Sequence, residues 1–150
     1  MTTTIIIGSG IIGLHVANVL RDKGHEVYVL DQAPYLAEHC SGRNSGVIHA
    51  GVYYAPDSLK EKFCIEGNRL TYEWLKKLKV DHLPCGKLIV PLPGQENELE
   101  SFFDRIRQLP IPEPKLEIDR VLVPSTGIMD AAGYVKAYAT YLESRGVTII

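Results

Sequence analysis

Three glycines near the N-terminus, Gly8, Gly10 and Gly13, have the spacing of a phosphate-binding turn. The first glycine allows a tight turn, the second removes a side chain that would hold a phosphate away from the backbone, and the third lets a helix pack closely on a strand. The pyrophosphate of a dinucleotide binds at such a junction because the helix N-terminus presents unpaired N–H groups. A cofactor-binding role is therefore predicted for the three glycines, Ser9 and Ile12.

An acidic residue stands where such a site needs one. The apolar run 27–30 ends in Asp31, 18 residues beyond Gly13. A carboxylate at this spacing accepts hydrogen bonds from ribose hydroxyls and repels a 2′-phosphate, which disfavours NADP. Asp31 and the adjacent Gln32 are therefore predicted to bind the cofactor. A glycine-rich turn in another kind of α/β protein would not require strand, helix, strand and acid in this register.

The connection 41–54, with the sequence SGRNSGVIHAGVYY, holds a second group of residues that could do chemistry. Long ordered loops in compact domains are usually functional. An imidazole titrates near neutral pH, so His49 is a candidate base for a substrate hydroxyl. Alternatively, His49 only orders the loop through hydrogen bonds. Arg43 has the bidentate geometry for a phosphate or a carboxylate, or is a solvated loop arginine.

Together with the glycine turn, this loop resembles the FAD-dependent oxidoreductases of the D-amino-acid oxidase and glycerol-3-phosphate dehydrogenase superfamily. The nearest resemblance is to the L-2-hydroxyglutarate dehydrogenase/oxidase branch. It extends over SLKEK at 58–62, CGKLIV at 85–90 and STGIMD at 125–130. The resemblance implies an α/β fold, with a Rossmann-like FAD-binding βαβ sheet of the glutathione-reductase type and an inserted α+β region.

The same resemblance implies that FAD is the cofactor and that several loop residues lie along it. Arg43, Asn44 and Ser45 would follow the FAD, while His49 and Gly51 would lie close to the flavin ring. A glycine there lets backbone N–H groups approach the flat ring. Such contacts tune the flavin, whereas the hydride chemistry belongs to the cofactor. His49 is the one candidate catalytic residue among them.

Hydrophobic periodicity predicts the elements that position these residues. Helices are predicted at about 10–23, 58–79, 96–109 and 131–145. Gly24 and Gly146 would end the first and last of them, and Asp130 would cap the last. Strands are predicted at 88–92, 121–123 and 147–150, the last returning to the parallel sheet. The 58–79 helix carries an apolar stripe that we expect to face the core, formed by Leu59, Phe63, Leu70, Trp74 and Leu78.

Composition limits the classes of protein. The 150 residues suit one domain or slightly more, and a net charge of −2 gives no argument for nucleic acid as a partner. No apolar run approaches the length needed to cross a bilayer. Three cysteines without CxxC spacing indicate reduced thiols in a cytoplasmic protein. The five histidines are scattered, so no metal site is predicted.

Three functional hypotheses follow. The first is part of a flavoenzyme that oxidises a small-molecule 2-hydroxy acid, by resemblance L-2-hydroxyglutarate, to the 2-oxo acid; Lys87 would face a dicarboxylate substrate or lie at the rim. The second is a non-catalytic FAD-binding fragment or subunit that needs a second chain. The third is an NAD-binding dehydrogenase domain, which does not predict the flavin-type loop.

The domain organisation is expected to be that of the N-terminal portion of a longer fold. Residues 1–54 would form the FAD-binding βαβ unit with the flavin loop. Residues 55–124 would start the substrate domain, and residues 125–150 would return a helix and a strand to the FAD-binding sheet. Because members of the branch are longer, we expect a second polypeptide or self-association.

Overall fold

The computed structural model describes residues 2–150, which divide into two compact units. The first unit comprises residues 2–46, 75–81 and 130–150, and the second comprises 47–74 and 82–129. The predicted division at residues 54 and 124 stays a prediction. Within residues 2–150, no helix combines the length and the apolar character needed to span a bilayer.

The helices and strands follow one another in mixed order along the chain. In chain order they are β1 (Thr3–Ile7), α1 (Ile11–Asp22), β2 (Glu26–Leu30), β3 (Val47–Ile48), α2 (Leu59–Leu78), β4 (His82–Leu83), β5 (Lys87–Ile89), α3 (Glu98–Ile106), β6 (Lys115–Leu116), β7 (Val121–Val123), β8 (Gly127–Met129), α4 (Ala131–Ser144) and β9 (Thr148–Ile149).

The first unit contains a parallel sheet with the strand order β1-β2-β9. Ile7 pairs with Leu30 and Tyr28 pairs with Thr148, so the predicted return of the last strand to the parallel sheet is confirmed. The first and last helices end at glycines with positive φ, Gly24 and Gly146, as predicted. The predicted cap of α4 is also confirmed, because the Asp130 carboxylate accepts a hydrogen bond from the N–H of Gly133.

The second unit holds two antiparallel three-stranded sheets, with the orders β3-β8-β4 and β5-β7-β6. Its core contains Ala50, Val52, Leu99, Ile106, Val121 and Val123. Leu99 and Ile106 are the residues that α3 contributes to this core. The strand predicted at 88–92 is shorter and lies at Lys87–Ile89, before Pro91, which has no N–H to donate to a ladder.

The predicted inward stripe of α2 is wrong at three of its five positions, one of which is Leu70, at 37% exposed. Leu59 is 69% exposed and Phe63 is 67% exposed. The face turned into the second unit instead carries a mixed set at helical spacing: Glu61, Ile65, Asn68 and Tyr72. Periodicity assigned the wrong face because the buried carboxylate of Glu61 and the half-buried amide of Asn68 belong to residue types that usually face solvent.

Candidate functional site

The glycine turn in the first unit has the geometry that its spacing predicts. Gly8 has φ +105° and donates its N–H to the carbonyl of Leu30 at 2.7 Å. A Cβ added to Gly13 would collide with the carbonyl oxygen of Gly8, so only glycine allows α1 to begin this close to the turn. A Cβ added to Gly8 would meet nothing within 4 Å, which leaves open space above the turn.

The N-terminus of α1 is suited to an anion. Its N-cap residue, Gly10, supplies no side-chain capping hydrogen bond, and the first turn contains no acidic residue. The first N–H groups of a helix have no partner within the helix, and together with the positive end of the helix dipole they favour phosphate there. Ile12, on the same turn, is 80% exposed. These features fit the pyrophosphate of a dinucleotide.

Ser41 is a residue of this turn that the sequence analysis missed. Its Oγ accepts a hydrogen bond from the N–H of Ile11 at 3.1 Å and would lie 3.0 Å from a Cβ on Gly10. The hydroxyl therefore closes one side of the turn, and a side chain at position 10 would displace it by a few tenths of an ångström. No local pattern could identify it, because Ser41 lies 30 residues beyond Ile11 in the chain.

The Asp31 carboxylate accepts three hydrogen bonds, two of which join it to the turn. Its Oδ2 accepts from the N–H of Ser9 at 2.6 Å and from the Ser9 hydroxyl at 2.7 Å, and its Oδ1 accepts from the N–H of Ala33 at 3.0 Å. These bonds, led by that of Ala33, lower the pKa of Asp31 to about 2. The carboxylate is thus ionised at physiological pH and holds Ser9 against the end of β2.

This depressed pKa makes the stability of the fold depend on pH. The folded pKa lies below the ordinary value of 3.8, so the contribution of Asp31 is present above about pH 4 and is lost as pH falls towards 2. We expect the difference in unfolding free energy between the native chain and Asp31→Asn to shrink over that range. Urea denaturation at a series of pH values measures it.

The matched control for this titration is Asp104→Asn. Asp104 pairs with Arg107 on the surface at 3.4 Å, and such exposed pairs contribute little to stability. Its substitution should change the unfolding free energy by a small amount at every pH. A difference for Asp31→Asn that does not vary between about pH 4 and pH 2 would contradict the assigned role of the carboxylate.

The loop residues predicted to follow the cofactor lie in the first unit and are exposed: Gln32, Arg43, Asn44 and Ser45. Asn44 organises its own loop, since its amide donates to the carbonyls of Cys40 and Ser41, both at 3.0 Å, and accepts from the N–H of Gly46 at 2.9 Å. Contact of these residues with a cofactor stays a prediction.

His49 and Gly51 lie in the second unit. The His49 side chain is exposed, whereas its backbone carbonyl accepts hydrogen bonds from the amide of Asn68 at 3.0 Å and from the thiol of Cys64 at 3.4 Å. Gly51 is buried with φ +84°, and a Cβ there would come within 2.8 Å of Cγ1 of Ile65. Close packing of α2 therefore already requires glycine at this position.

Strand, glycine turn, helix, second strand and terminal acid together define a dinucleotide-binding fold of the Rossmann type. Residues 3–150 match the sequence profile of the FAD dependent oxidoreductase family, DAO. The chain belongs to this family. The family's cofactor is FAD, which does not favour the NAD-binding hypothesis.

Curated relatives agree with this assignment. The chain is 36% identical over 151 residues to the mitochondrial L-2-hydroxyglutarate dehydrogenase of Arabidopsis thaliana, a match that covers 88% of the chain and 30% of the relative. It is 35% identical over 162 residues to the L-2-hydroxyglutarate dehydrogenase of Escherichia coli K12, covering 97% of the chain and 38% of the relative. The chain thus spans about a third of the length of the curated relatives it matches.

Solved structures support the fold. The L-α-glycerophosphate oxidase of Mycoplasma pneumoniae, solved with FAD bound, superposes with a TM-score of 0.80 at 25% identity, over 100% of this chain and 45% of that one. Glycine oxidase from Geobacillus kaustophilus superposes with a TM-score of 0.83 at 14% identity, over 100% of this chain and 47% of that one. The α/β fold predicted from the sequence is confirmed.

Proposed function

We propose that this chain is the FAD-binding part of an oxidoreductase that converts a 2-hydroxy acid, L-2-hydroxyglutarate, to the 2-oxo acid. The observation that carries the proposal is 32–42% identity with proteins named L-2-hydroxyglutarate dehydrogenase in plant, animal and bacterial species. In two of these matches 97% of the chain is aligned. The predicted site residues lie within that shared stretch.

The first unit binds the cofactor in this proposal. The N–H groups at the start of α1 hold the pyrophosphate, with Gly8, Gly10 and Gly13 allowing its approach. Asp31 accepts a hydrogen bond from the adenosine ribose through the lone pair of Oδ1 that Ala33 does not use. Residues 43–45 and Gln32, all exposed, follow the cofactor from the neighbouring loops. When bound, FAD supplies the acceptor for a hydride.

We assign to His49 the role of the base that accepts the proton of the substrate hydroxyl. As the hydride leaves C2 of the hydroxy acid, the hydroxyl oxygen loses its proton, which passes to the imidazole, and a C=O bond forms at C2. An exposed imidazole on a backbone fixed by Asn68 and Cys64 suits this task. The two electrons leave with the hydride, so the step balances without another reactant.

Lys87 supports a substrate with two carboxylates. Its Nζ lies 5.2 Å from the centre of the Tyr53 ring, and its charge also acts on the thiol of Cys64, which contacts the His49 carbonyl. A positive charge is thus held near the segment that carries His49. In this proposal the ammonium group of Lys87 binds the second carboxylate of L-2-hydroxyglutarate.

The test is an absorbance spectrum of the purified chain with added FAD, followed by L-2-hydroxyglutarate without oxygen. We expect a yellow protein whose flavin band bleaches with L-2-hydroxyglutarate and not with the monocarboxylate L-lactate. A yellow protein that neither acid bleaches would favour the non-catalytic FAD-binding subunit that needs a second chain. A protein that never takes up FAD would contradict the proposal.

The proposed compartment is the cytoplasm. Cys40, Cys64 and Cys85 are free thiols among the described residues, as expected in a reducing compartment. The relatives from Arabidopsis thaliana and Homo sapiens are named as mitochondrial, whereas the name of the Escherichia coli relative gives no organelle. Cell fractionation followed by detection of the protein distinguishes the two compartments.

A further inference from the structure

The segment 49–57 of the second unit is held mainly by side chains from the helices of that unit. It follows β3 and has no regular secondary structure, yet Ala50 and Val52 are 3% exposed. Backbone groups in such a segment need partners because unpaired buried carbonyls and N–H groups are costly. Most of the hydrogen-bond partners of this backbone are polar side chains on α2 and α3.

Asn68 supplies the most direct of these contacts. Its Nδ2 donates one hydrogen bond to the carbonyl of His49 at 3.0 Å and another to the carbonyl of Ser125 at 2.9 Å. Both amide hydrogens are used, and both acceptors are backbone atoms. One half-buried side chain therefore joins the start of the segment to the strand region that precedes β8.

A partly buried ion pair between Glu61 and Arg105 holds the rest of the segment. Oε2 of Glu61, a residue only 6% exposed, accepts the N–H of Asp57 at 2.9 Å, while Nη2 of Arg105 donates to the carbonyl of Val52. The remaining atoms of the two groups, Oε1 and Nη1, face each other at 3.8 Å. The segment is thus fixed at His49, Val52 and Asp57 by polar side chains rather than by a β ladder.

We propose that Asn68 is a positioning residue, which fixes the His49 backbone and thereby the direction in which the imidazole and the following peptides face the flavin. The inference rests on the proposed function, because the flavin is the group that would sense this orientation. The exposed His49 ring has no surrounding core to hold it, so its direction depends on its backbone. A displacement of about 1 Å in a catalytic group can slow a reaction roughly 100-fold.

The test uses the FAD-loaded protein with Asn68→Asp and Asn68→Ala. Aspartate has nearly the same shape as asparagine, but it places a carboxylate oxygen, which can only accept, against two carbonyl oxygens. Alanine removes both donors and is a good helix former, so α2 should tolerate it. We expect both variants to bind FAD within about threefold of the native affinity, since the glycine turn and Asp31 are unchanged. We expect a shifted flavin absorption band and an altered reduction potential in dithionite titrations.

A second readout follows the segment without any cofactor. Hydrogen exchange of the amides of residues 50–54 should accelerate at least tenfold in both variants, whereas exchange in β1 and β2 should not change. The control is Asn97→Asp, since Asn97 is exposed and makes no side-chain capping bond. It should leave the spectrum, the potential and the exchange rates unchanged.

Three results would overturn the inference. They are native flavin spectra and potentials in both variants, unchanged exchange in residues 50–54, or failure of both variants to fold, which would make Asn68 a purely structural residue. Dithionite reduces the flavin without a substrate, so these readouts do not depend on L-2-hydroxyglutarate. A protein that binds FAD and rejects that acid would contradict the proposed substrate while leaving this inference open to the same test.

Discussion

Replacement of Gly13 by alanine is expected to abolish tight FAD binding and to lower the stability of the first unit. The new Cβ would collide with the carbonyl oxygen of Gly8, which is backbone and cannot rotate away. The start of α1 must therefore shift, at a cost of about 1–3 kcal/mol. Each hydrogen bond lost to the pyrophosphate weakens binding by about 10- to 100-fold. Thermal unfolding and FAD titration measure the two effects.

Gly67→Ala is the matched control for this substitution. Gly67 also lies inside a helix, but a Cβ there would meet nothing within 4 Å. Alanine should stabilise α2 by up to about 1 kcal/mol, because glycine is the poorer helix former. FAD affinity should not change. Equal affinities for FAD in the native chain and in Gly13→Ala would show that the cofactor does not sit at this turn.

Replacement of His49 by asparagine should slow reduction of the flavin by L-2-hydroxyglutarate by about 10²- to 10⁴-fold, the usual contribution of a general base. Asparagine retains hydrogen-bonding capacity but cannot accept the proton. Binding of FAD should change little, because the glycine turn is intact. Anaerobic single-turnover kinetics followed at the flavin absorbance band measure the rate directly.

His39→Asn controls for the loss of an exposed histidine. The carbonyl of His39 accepts hydrogen bonds from the N–H groups of Gly42 and Arg43, and asparagine preserves both. The control should reduce at the native rate. If His49→Asn also reduces at the native rate and with the native pH profile, His49 only orders the loop and the proton goes elsewhere.

The parts of the fold that were predictable carry local signals. The Gly8 turn, the helix stop at Gly24 and the cap at Asp130 each depend on neighbouring residues, so their types reveal their conformations. The position of Asp31 directly after β2 could be predicted because Asp31 ends the apolar run 27–30. For these elements the sequence alone is enough to outline the candidate cofactor site.

The parts that were missed depend on contacts between distant segments. Ser41 reaches the amide of Ile11 from 30 residues further along the chain, and Asn68 reaches the carbonyl of Ser125 from the middle of a helix. Glu61 is buried with one oxygen bonded to the N–H of Asp57 and the other facing Arg105 at 3.8 Å. A polar residue that is buried with its partner has the sequence pattern of an exposed one, and this explains the wrong face assigned to α2.

The pairing of β9 with β2 has a consequence for biosynthesis. The first unit draws its third strand and α4 from residues 130–150, whereas the second unit uses no residue beyond Met129. During synthesis the second unit can therefore become compact while the sheet that carries the glycine turn is still incomplete. The unit whose sequence emerges first therefore gains its third strand only after the whole of the second unit has been synthesised.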